Sequence, residues 1–301
     1  MSIPFTNLDV FTHTRYLGNA LAIICPPTPT TLSQGQKLQI SREFNLSEVV
    51  FLHLPESLDS NPRELTVDIF TSTVEIPFAG HPTIGTAFFV LNYLGLRSVE
   101  ALITKAGRIP IEISGNGKRV SAEIPHNVHV HGKTFLFKDF TTGDESQYPV
   151  VSIVNGMTFV LVSLPNIADL GRAVEVKNLN SSTYDVGHLD EGWRNGLCST
   201  MYYVKMGEDG EGRKRYRTRM FETEAEDSGT GSASCALACY LVTKNPGNGG
   251  EEVQFRFEQG VEMGKRNNIF VDVTTEADGV SVEKVVLSGE AVKVMEGILN
   301  I

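Results

Sequence analysis

Along the 301 residues, hydrophobic and polar positions alternate in two rhythms. Runs of period two near Phe5–Phe11, Ala20–Cys25 and Val49–Leu54, and LTVDIFT at Leu65 to Thr71, predict strands. Leu32 to Phe44 carries helical spacing behind the cap-rich TPTT. A small-residue turn at Gly80 then opens a strongly apolar helical stretch ending near Leu94-Gly95. ALITKAGRIPIEISGNGKRVSAEIP follows as a meander turning at Gly115-Asn116-Gly117.

The second half repeats this logic. VSIVNGMTFVLVSL predicts strands, Asn166 to about Ser199 a helical and loop region, and TMYYVKM and RYRTRMF strands around the charged hairpin GEDGEGRKR. GHPTIGTAFFVLNYL from Gly80 and DSGTGSASCALACYL from Asp227 match as small-residue turns running into apolar helices that end Tyr-Leu. After the loop KNPGNGG come VQFRFEQG, NNIFVDVTT, VSVEKVVLSG and EAVKVMEGILNI as strands. The pattern predicts an α+β duplication: two pseudo-symmetric domains, each a curved sheet around a central helix. Periodicity by itself leaves an ordinary two-layer pair open. HNVHVHGK interrupts the pattern between Pro125 and Lys133, so the domains are expected at 1–128 and 129–289, with 290–301 returning to the first.

Two helix N-termini matter chemically because their first backbone N–H groups lack partners within the helix and the dipole favours negative charge. Together they suit a small acidic molecule. The formal net charge of −10 argues against nucleic-acid or anionic-membrane partners, so an anion must be held by local dipoles and a few side chains. No stretch has the apolar length of a membrane span, and MSIPFTNLDVF lacks a basic segment followed by an apolar run, so a cytoplasmic protein is expected. Four cysteines, Cys25, Cys198, Cys235 and Cys239, form neither a disulfide framework nor a paired CxxC site. Cys235 and Cys239 have the spacing of buried helix packing.

Glu48 in NLSEVVFL stands at the mouth of an apolar strand, where partial desolvation suits a carboxylate to take and return a proton, although an exposed strand-start glutamate has the same spacing. His81 follows Gly80 in the first turn, with Pro82 where a first-position helix proline belongs; the dipole there favours a neutral imidazole able to relay a proton, and a histidine merely satisfied in a turn is the alternative. Asp227 explains itself as a helix cap, but Gly229, Gly231 and Ser232 crowd the same turn as if for close backbone approach to a ligand. His126, His129 and His131 lack a carboxylate or thiol companion nearby, so no metal is expected. GNGKR does not frame a phosphate loop, GxGxxG is absent after an early strand, and no nucleotide cofactor is expected. RKRYRTR reads as a solvated hairpin.

FTNLDVFT, GNALAIICP, NLSEVVFL, FTSTVEIPFAGHPTIGTA, RMFETEAEDSGTGSA and EQGVEMGK span nearly the whole chain, in order, and together resemble the PhzF family of phenazine-biosynthesis isomerases within the diaminopimelate epimerase-like superfamily. The resemblance implies two pseudo-symmetric domains with an active site in the cleft between them, a homodimer, and an isomerisation without metal or organic cofactor that moves a hydrogen along a conjugated cyclic amino acid. It implies Glu48 as the proton shuttle, His81, Asp227 and Ser232 as its partners, and Asn19 with the amides around Gly80 and Thr230–Gly231 as binders of substrate oxygens. Three segments depart from the family: its usual EDP is Glu226-Asp227-Ser228, its GNP is Gly18-Asn19-Ala20, and its GRPS is Gly264-Lys265-Arg266-Asn267. Loss of the proline at 228 is expected to loosen that turn. The superfamily's racemases use two opposed cysteines at these helix ends, whereas Cys235 and Cys239 lie further in. A cyclase or lyase using the same acid/base cleft, and a non-catalytic ligand-binding homologue, are the alternative functions.

Overall fold

The computed structural model of the chain describes residues 2–57, 60–138, 142–175, 186–222, 225–247 and 249–301. Packing divides them into two units, Met1–Ile124 with Leu287–Ile301, and Pro125–Val286. Thr223, Glu224 and part of the region expected between Asn166 and Ser199 lie outside the described residues.

In the first unit, Ala291–Asn300 pairs antiparallel with Ser2–Val10, which pairs antiparallel with Asn19–Ile24. Asn19–Ile24 runs parallel to Val49–His53, Val49–His53 antiparallel to Glu64–Phe70, and Glu64–Phe70 parallel to Ala101–Thr104. Gly107–Ser114 and Arg119–Glu123 complete the sheet as an antiparallel meander. Each parallel step needs a crossover, and a helix fills each: α1 (Gln34–Phe44) lies between the first pair, α2 (Gly80–Phe88) between the second.

The second unit repeats the sequence of pairings. His129–Val130, Val150–Val154 and Met157–Ser163 are antiparallel in turn. Met157–Ser163 is parallel to Leu197–Glu208, Leu197–Glu208 antiparallel to Lys214–Glu222, Lys214–Glu222 parallel to Glu252–Gln259, and Glu252–Gln259 antiparallel to Asn267–Thr275. Here α3 (Ile167–Arg172) and α4 (Gly231–Lys244) fill the crossovers. The duplication expected from the two apolar helices is thus written into strand order as well.

An apolar helix with no polar face has to be surrounded. In α2 every residue from Gly80 to Ala87 is buried, and the helix touches Ser2–Val10, Asn19–Ile24, Val49–His53, Arg119–Glu123 and Ala291–Asn300. In α4 burial is continuous from Gly231 to Tyr240, against Val150–Val154, Met157–Ser163, Glu252–Gln259 and Asn267–Thr275. Gly85 permits the closest approach in the first unit, since a Cβ there would fall 2.5 Å from Leu21 Cδ2 and 2.8 Å from Val10 Cγ2. Beyond Phe88 the helix widens into a π-helical turn, Phe89–Tyr93, with the Leu94 N–H donating to Phe89 O, and Gly95 ends it at φ +71°.

Two expectations shift. The first helix starts at Gln34 rather than Leu32, because Ser33 and Gln36 form a reciprocal capping box that TPTT does not supply. The matched repeats also slip by about one turn: aligning the Tyr-Leu ends sets Gly80 against Asp227, whereas the helices themselves begin at Gly80 and Gly231. Helix starts therefore place His81 opposite Ser232 in the duplicated plan.

On α1 the buried residues are polar, Lys37 and Ser41. Lys37 Nζ donates to Asp68 Oδ2 at 2.5 Å, and His53 Nε2 lies 2.7 Å from the same oxygen. Burial alone would raise the Asp68 carboxyl, but the hydrogen bonds from His53 and Lys37 and the Lys37 charge outweigh it and bring the pKa down to about 2. A depressed carboxylate stabilises the fold above its unfolded pKa and ceases to as pH falls through the folded value. After discounting for solvent screening this is worth about 1 to 2 kcal/mol. Urea midpoints should therefore separate wild type from Asp68→Asn at pH 6, and the gap should close as the pH falls from about 4 to about 2. A gap unchanged at low pH would remove the carboxylate's charge from the stability of this unit.

Candidate active site

Each unit places its predicted residues around the start of its own central helix. In the first unit, Asn45 closes α1 in the left-handed conformation at φ +50°, its N–H donating to Ser41 O. Asparagine tolerates that conformation and reverses the chain, so that Glu48 immediately precedes the strand Val49–His53. Glu64–Phe70 folds back through Glu75–Ile76, and the extended Ala79 then starts α2 with Gly80 and His81 as its first two residues. Pro82 is the third residue rather than the first; a proline is accepted there because the N–H it lacks has no acceptor in the first turn.

Glu48 and His81 come together in this way. His81 Nδ1 lies 3.5 Å from Glu48 Oε2, with the imidazole 5% and the carboxylate 19% exposed. Asn19, also buried, opens the neighbouring strand Asn19–Ile24. The pair joins a nearly dry imidazole to a carboxylate that keeps some access to solvent, which suits a group that must meet a substrate.

The second unit brings together Asp227, Thr230, Gly231 and Ser232. Asp227 is not the cap of α4; Thr230 holds that position, and Asp227 instead closes the turn before it. Its Oδ1 accepts the Gly229 N–H at 3.4 Å and its Oδ2 the Thr230 hydroxyl at 2.6 Å. The Thr230 N–H donates to Gln259 Oε1 at 3.1 Å, so the helix amides that follow are those of Gly231 and the buried Ser232.

Helix capping separates the central helices from the others. Ser33 and Asn166 cap α1 and α3 through their side chains, while no side chain caps α2 or α4. An alanine such as Ala79 is a poor cap, costing about 1 kcal/mol against serine or aspartate. The two helix starts expected to face a ligand are the two whose amides are left to other partners.

Residue reasoning missed two side chains that hold the second turn. Gln259 Nε2 donates to Asp227 O and to Thr230 Oγ1, both at 2.9 Å, and Asn267 Nδ2 donates to Ser228 O and Lys265 O, both at 2.6 Å. Both residues are fully buried. Their signal was present in the alternation: Phe255, Phe257 and Gln259 share one strand face, and Asn267, Ile269 and Val271 another, so each polar residue occupies a place where the period asks for an apolar one. Asn267 also corrects the expectation that losing a proline at 228 loosens the turn. The residue that departs from GRPS holds the carbonyl of the residue that departs from EDP.

Three further readings change. RKRYRTR is not a solvated hairpin: Arg215 and Arg217 pair with Glu258, Arg217 also with Glu262, and Arg219 with Glu226. The histidine segment does have a carboxylate companion, since Asp190 lies beside His129 and His131, while His126 Nε2 is 3.3 Å from Val282 O instead. The four cysteines are free, and burial pushes the Cys239 thiol up to about 12 and Cys235 well above its usual value. Neither thiol is equipped to be the thiolate base of a two-cysteine racemase.

The start of the strand after the first helix also differs between units. Val49 pairs with Phe70 and Thr200 with Phe221, on the strands that lead to Gly80 and Gly231, so the counterpart of Glu48 in the second unit is Ser199, which is buried and carries no carboxyl group.

Two rolled sheets, each wound about an apolar helix that no side chain caps, define the diaminopimelate epimerase-like class of fold. The family model described as phenazine biosynthesis-like protein, PhzC-PhzF, matches residues 8–297, and the chain belongs to the PhzF family. It is 30% identical over 95% of both chains to the trans-2,3-dihydro-3-hydroxyanthranilate isomerase of Pseudomonas chlororaphis. Among solved structures it resembles the PhzF-family phenazine biosynthesis protein of Bacillus anthracis at TM-score 0.74 and 22% identity over the whole of both chains. A probable proline racemase from Agrobacterium radiobacter shares the fold at TM-score 0.66 and 13% identity, over 99% of this chain and 93% of that one. The protein is a PhzF-like isomerase.

Among the described residues, no helix is long and apolar enough to cross a membrane.

Proposed function

We propose that the protein isomerises a small unsaturated carboxylic or amino acid by moving one proton between carbons, without metal or organic cofactor. Glu48 removes the proton, and the electron pair left on carbon spreads through the conjugated system onto a carbonyl or carboxylate oxygen. The protonated Glu48 then returns the hydrogen to a second carbon, so the double bond shifts and no atom is gained or lost. His81 orients the carboxyl group and stabilises its charge changes. Amides at the starts of α2 and α4, with Asn19, Asp227 and Ser232, bind and polarise the substrate's oxygens. Preorganised donors of this kind are worth about 3 to 4 kcal/mol of barrier each.

The observation that carries this reading is the Glu48–His81 pair beside the start of α2. Family membership supports it: the curated relative from Pseudomonas chlororaphis is named for isomerising trans-2,3-dihydro-3-hydroxyanthranilate. That compound is the first substrate to try, and the changes at Ser228 and Lys265 to Asn267 bear on whether this enzyme takes a relative of it.

Incubation with trans-2,3-dihydro-3-hydroxyanthranilate and with related unsaturated acids in deuterated water tests the reaction. Solvent deuterium entering a carbon of the product, or substrate hydrogen carried to the new carbon, fits a proton shuttle. Ring closure or elimination with neither outcome would replace it by a cyclase or lyase.

A further inference from the structure

The second unit holds a cluster that the isomerisation does not use. His129, His131 and Asp190 each bring one ligand atom to within 4.8 Å of the others. His129 Nε2 lies 2.9 Å from Asp190 Oδ2, and His131 Nδ1 lies 3.8 Å from the same oxygen. Ligand atoms around a tetrahedral zinc-sized ion stand about 3.3 Å apart, given bonds of about 2.0 to 2.1 Å. Small side-chain rotations separate this arrangement from that geometry.

The hydrogen bonds behind the cluster fix its chemistry. The Asp190 N–H donates to His131 Nδ1 at 3.2 Å, so Nδ1 presents a lone pair and the ring proton sits on Nε2. His131 Nε2 therefore donates to Ser152 Oγ at 2.9 Å, and Ser152 Oγ shares a hydrogen bond with Thr158 Oγ1 at 2.6 Å, in a fully buried chain. Histidines that ligate metals are held in just this fashion, one nitrogen toward the ion and the other donating to a fixed partner. Asp190 is oriented by the Gly132 N–H at 3.0 Å. His131 has no exposed side-chain surface, whereas His129 and Asp190 are 33% and 34% exposed, so an ion can enter from solvent and keep a water ligand.

We propose that His129, His131 and Asp190 form a binding site for a divalent transition-metal ion of the zinc class, joining the entry strand of the second unit to the segment around Asp190. Two imidazoles and one carboxylate suit zinc, cobalt and nickel and give magnesium or calcium too few oxygens. The ion takes the His131 lone pair that now accepts the Asp190 N–H, and displaces any proton shared between His129 and Asp190. The site is independent of the isomerase reading.

Trp193, the chain's single tryptophan, supplies the readout, because its ring stacks on His129 with centroids 4.6 Å apart and planes 9° apart. Titrating the full-length protein with Co²⁺ should quench tryptophan fluorescence at one equivalent and develop visible ligand-field bands, and Zn²⁺ should reverse both. His129→Gln and Asp190→Asn should each weaken binding by at least about tenfold, with circular dichroism unchanged. Ser152→Ala, which leaves all three ligands in place, should weaken it about 10- to 100-fold. Absence of quenching and bands at millimolar Co²⁺ overturns the site, and so does binding that survives His129→Gln and Asp190→Asn with wild-type affinity.

Discussion

Glu48→Gln is expected to lower turnover by at least about 100-fold while substrate affinity changes little. Glutamine matches glutamate in shape and still offers an oxygen toward His81 Nδ1, 3.5 Å from the present carboxylate. What it cannot do is hold a proton removed from carbon. Fold and binding depend on shape and hydrogen bonding, so circular dichroism and the affinity for a substrate analogue should survive. The rate should not. Single-turnover measurement of isomerisation, with deuterium exchange followed in parallel, separates the two; exchange and turnover at wild-type rates would take Glu48 out of the mechanism.

Arg219→Ala should have the largest effect on stability, about 3 to 5 kcal/mol. Arg219 is 4% exposed, and its guanidinium fork donates to both oxygens of Glu226 at 2.8 and 2.7 Å. The same group donates to the carbonyls of Leu170 and Gly171 on α3, so removing it takes this donor from a carboxylate only 12% exposed and from the Gly171 carbonyl, while Leu170 O keeps the Ala173 N–H. Breaking one side of a buried pair costs more than the pair contributes, because the remaining charge has no solvent to return to. Arg219→Lys keeps the charge but loses the planar fork and should recover only part of the loss. Urea denaturation followed by circular dichroism measures all three proteins, and a loss below about 1 kcal/mol for the alanine variant would class the pair with weak surface bridges. Activity should fall as well, since Glu226 is the residue before Asp227 on the short strand Ala225–Asp227.

Much of this architecture could be read from residues alone, for a physical reason. Strands with one buried face and helices with no polar face leave strong periodic signals, so Leu65 to Thr71, NNIFVDVTT and both apolar helices were plain. Glu48 and His81 were legible as chemistry, and their meeting depends on a parallel crossover that local patterning does not encode. Asp190 shows the same limit: it stands about sixty residues from its histidines in sequence and lies beside them only in the folded unit. Gln259 and Asn267 are not legible as holders of the turn, because a single polar residue in an alternating strand resembles a strand end. Their importance comes from the carbonyls they reach. Start positions erred where a cap overruled periodicity, as Ser33 did for α1.

The serine at 199 bears on stereochemistry. Inverting an asymmetric carbon by two bases requires one residue to withdraw hydrogen from one side while another donates from the opposite side. Duplication of an ancestral half would supply such a matched couple if both copies kept an acid at this place. In this enzyme only the first copy does, because Thr200 pairs with Phe221 as Val49 pairs with Phe70, which puts Ser199, a hydroxyl and no acid, in the place of Glu48. On the mechanism proposed, a lone carrier collects and redeposits its hydrogen from the same side, so the migration is suprafacial and the molecule is rearranged rather than epimerised.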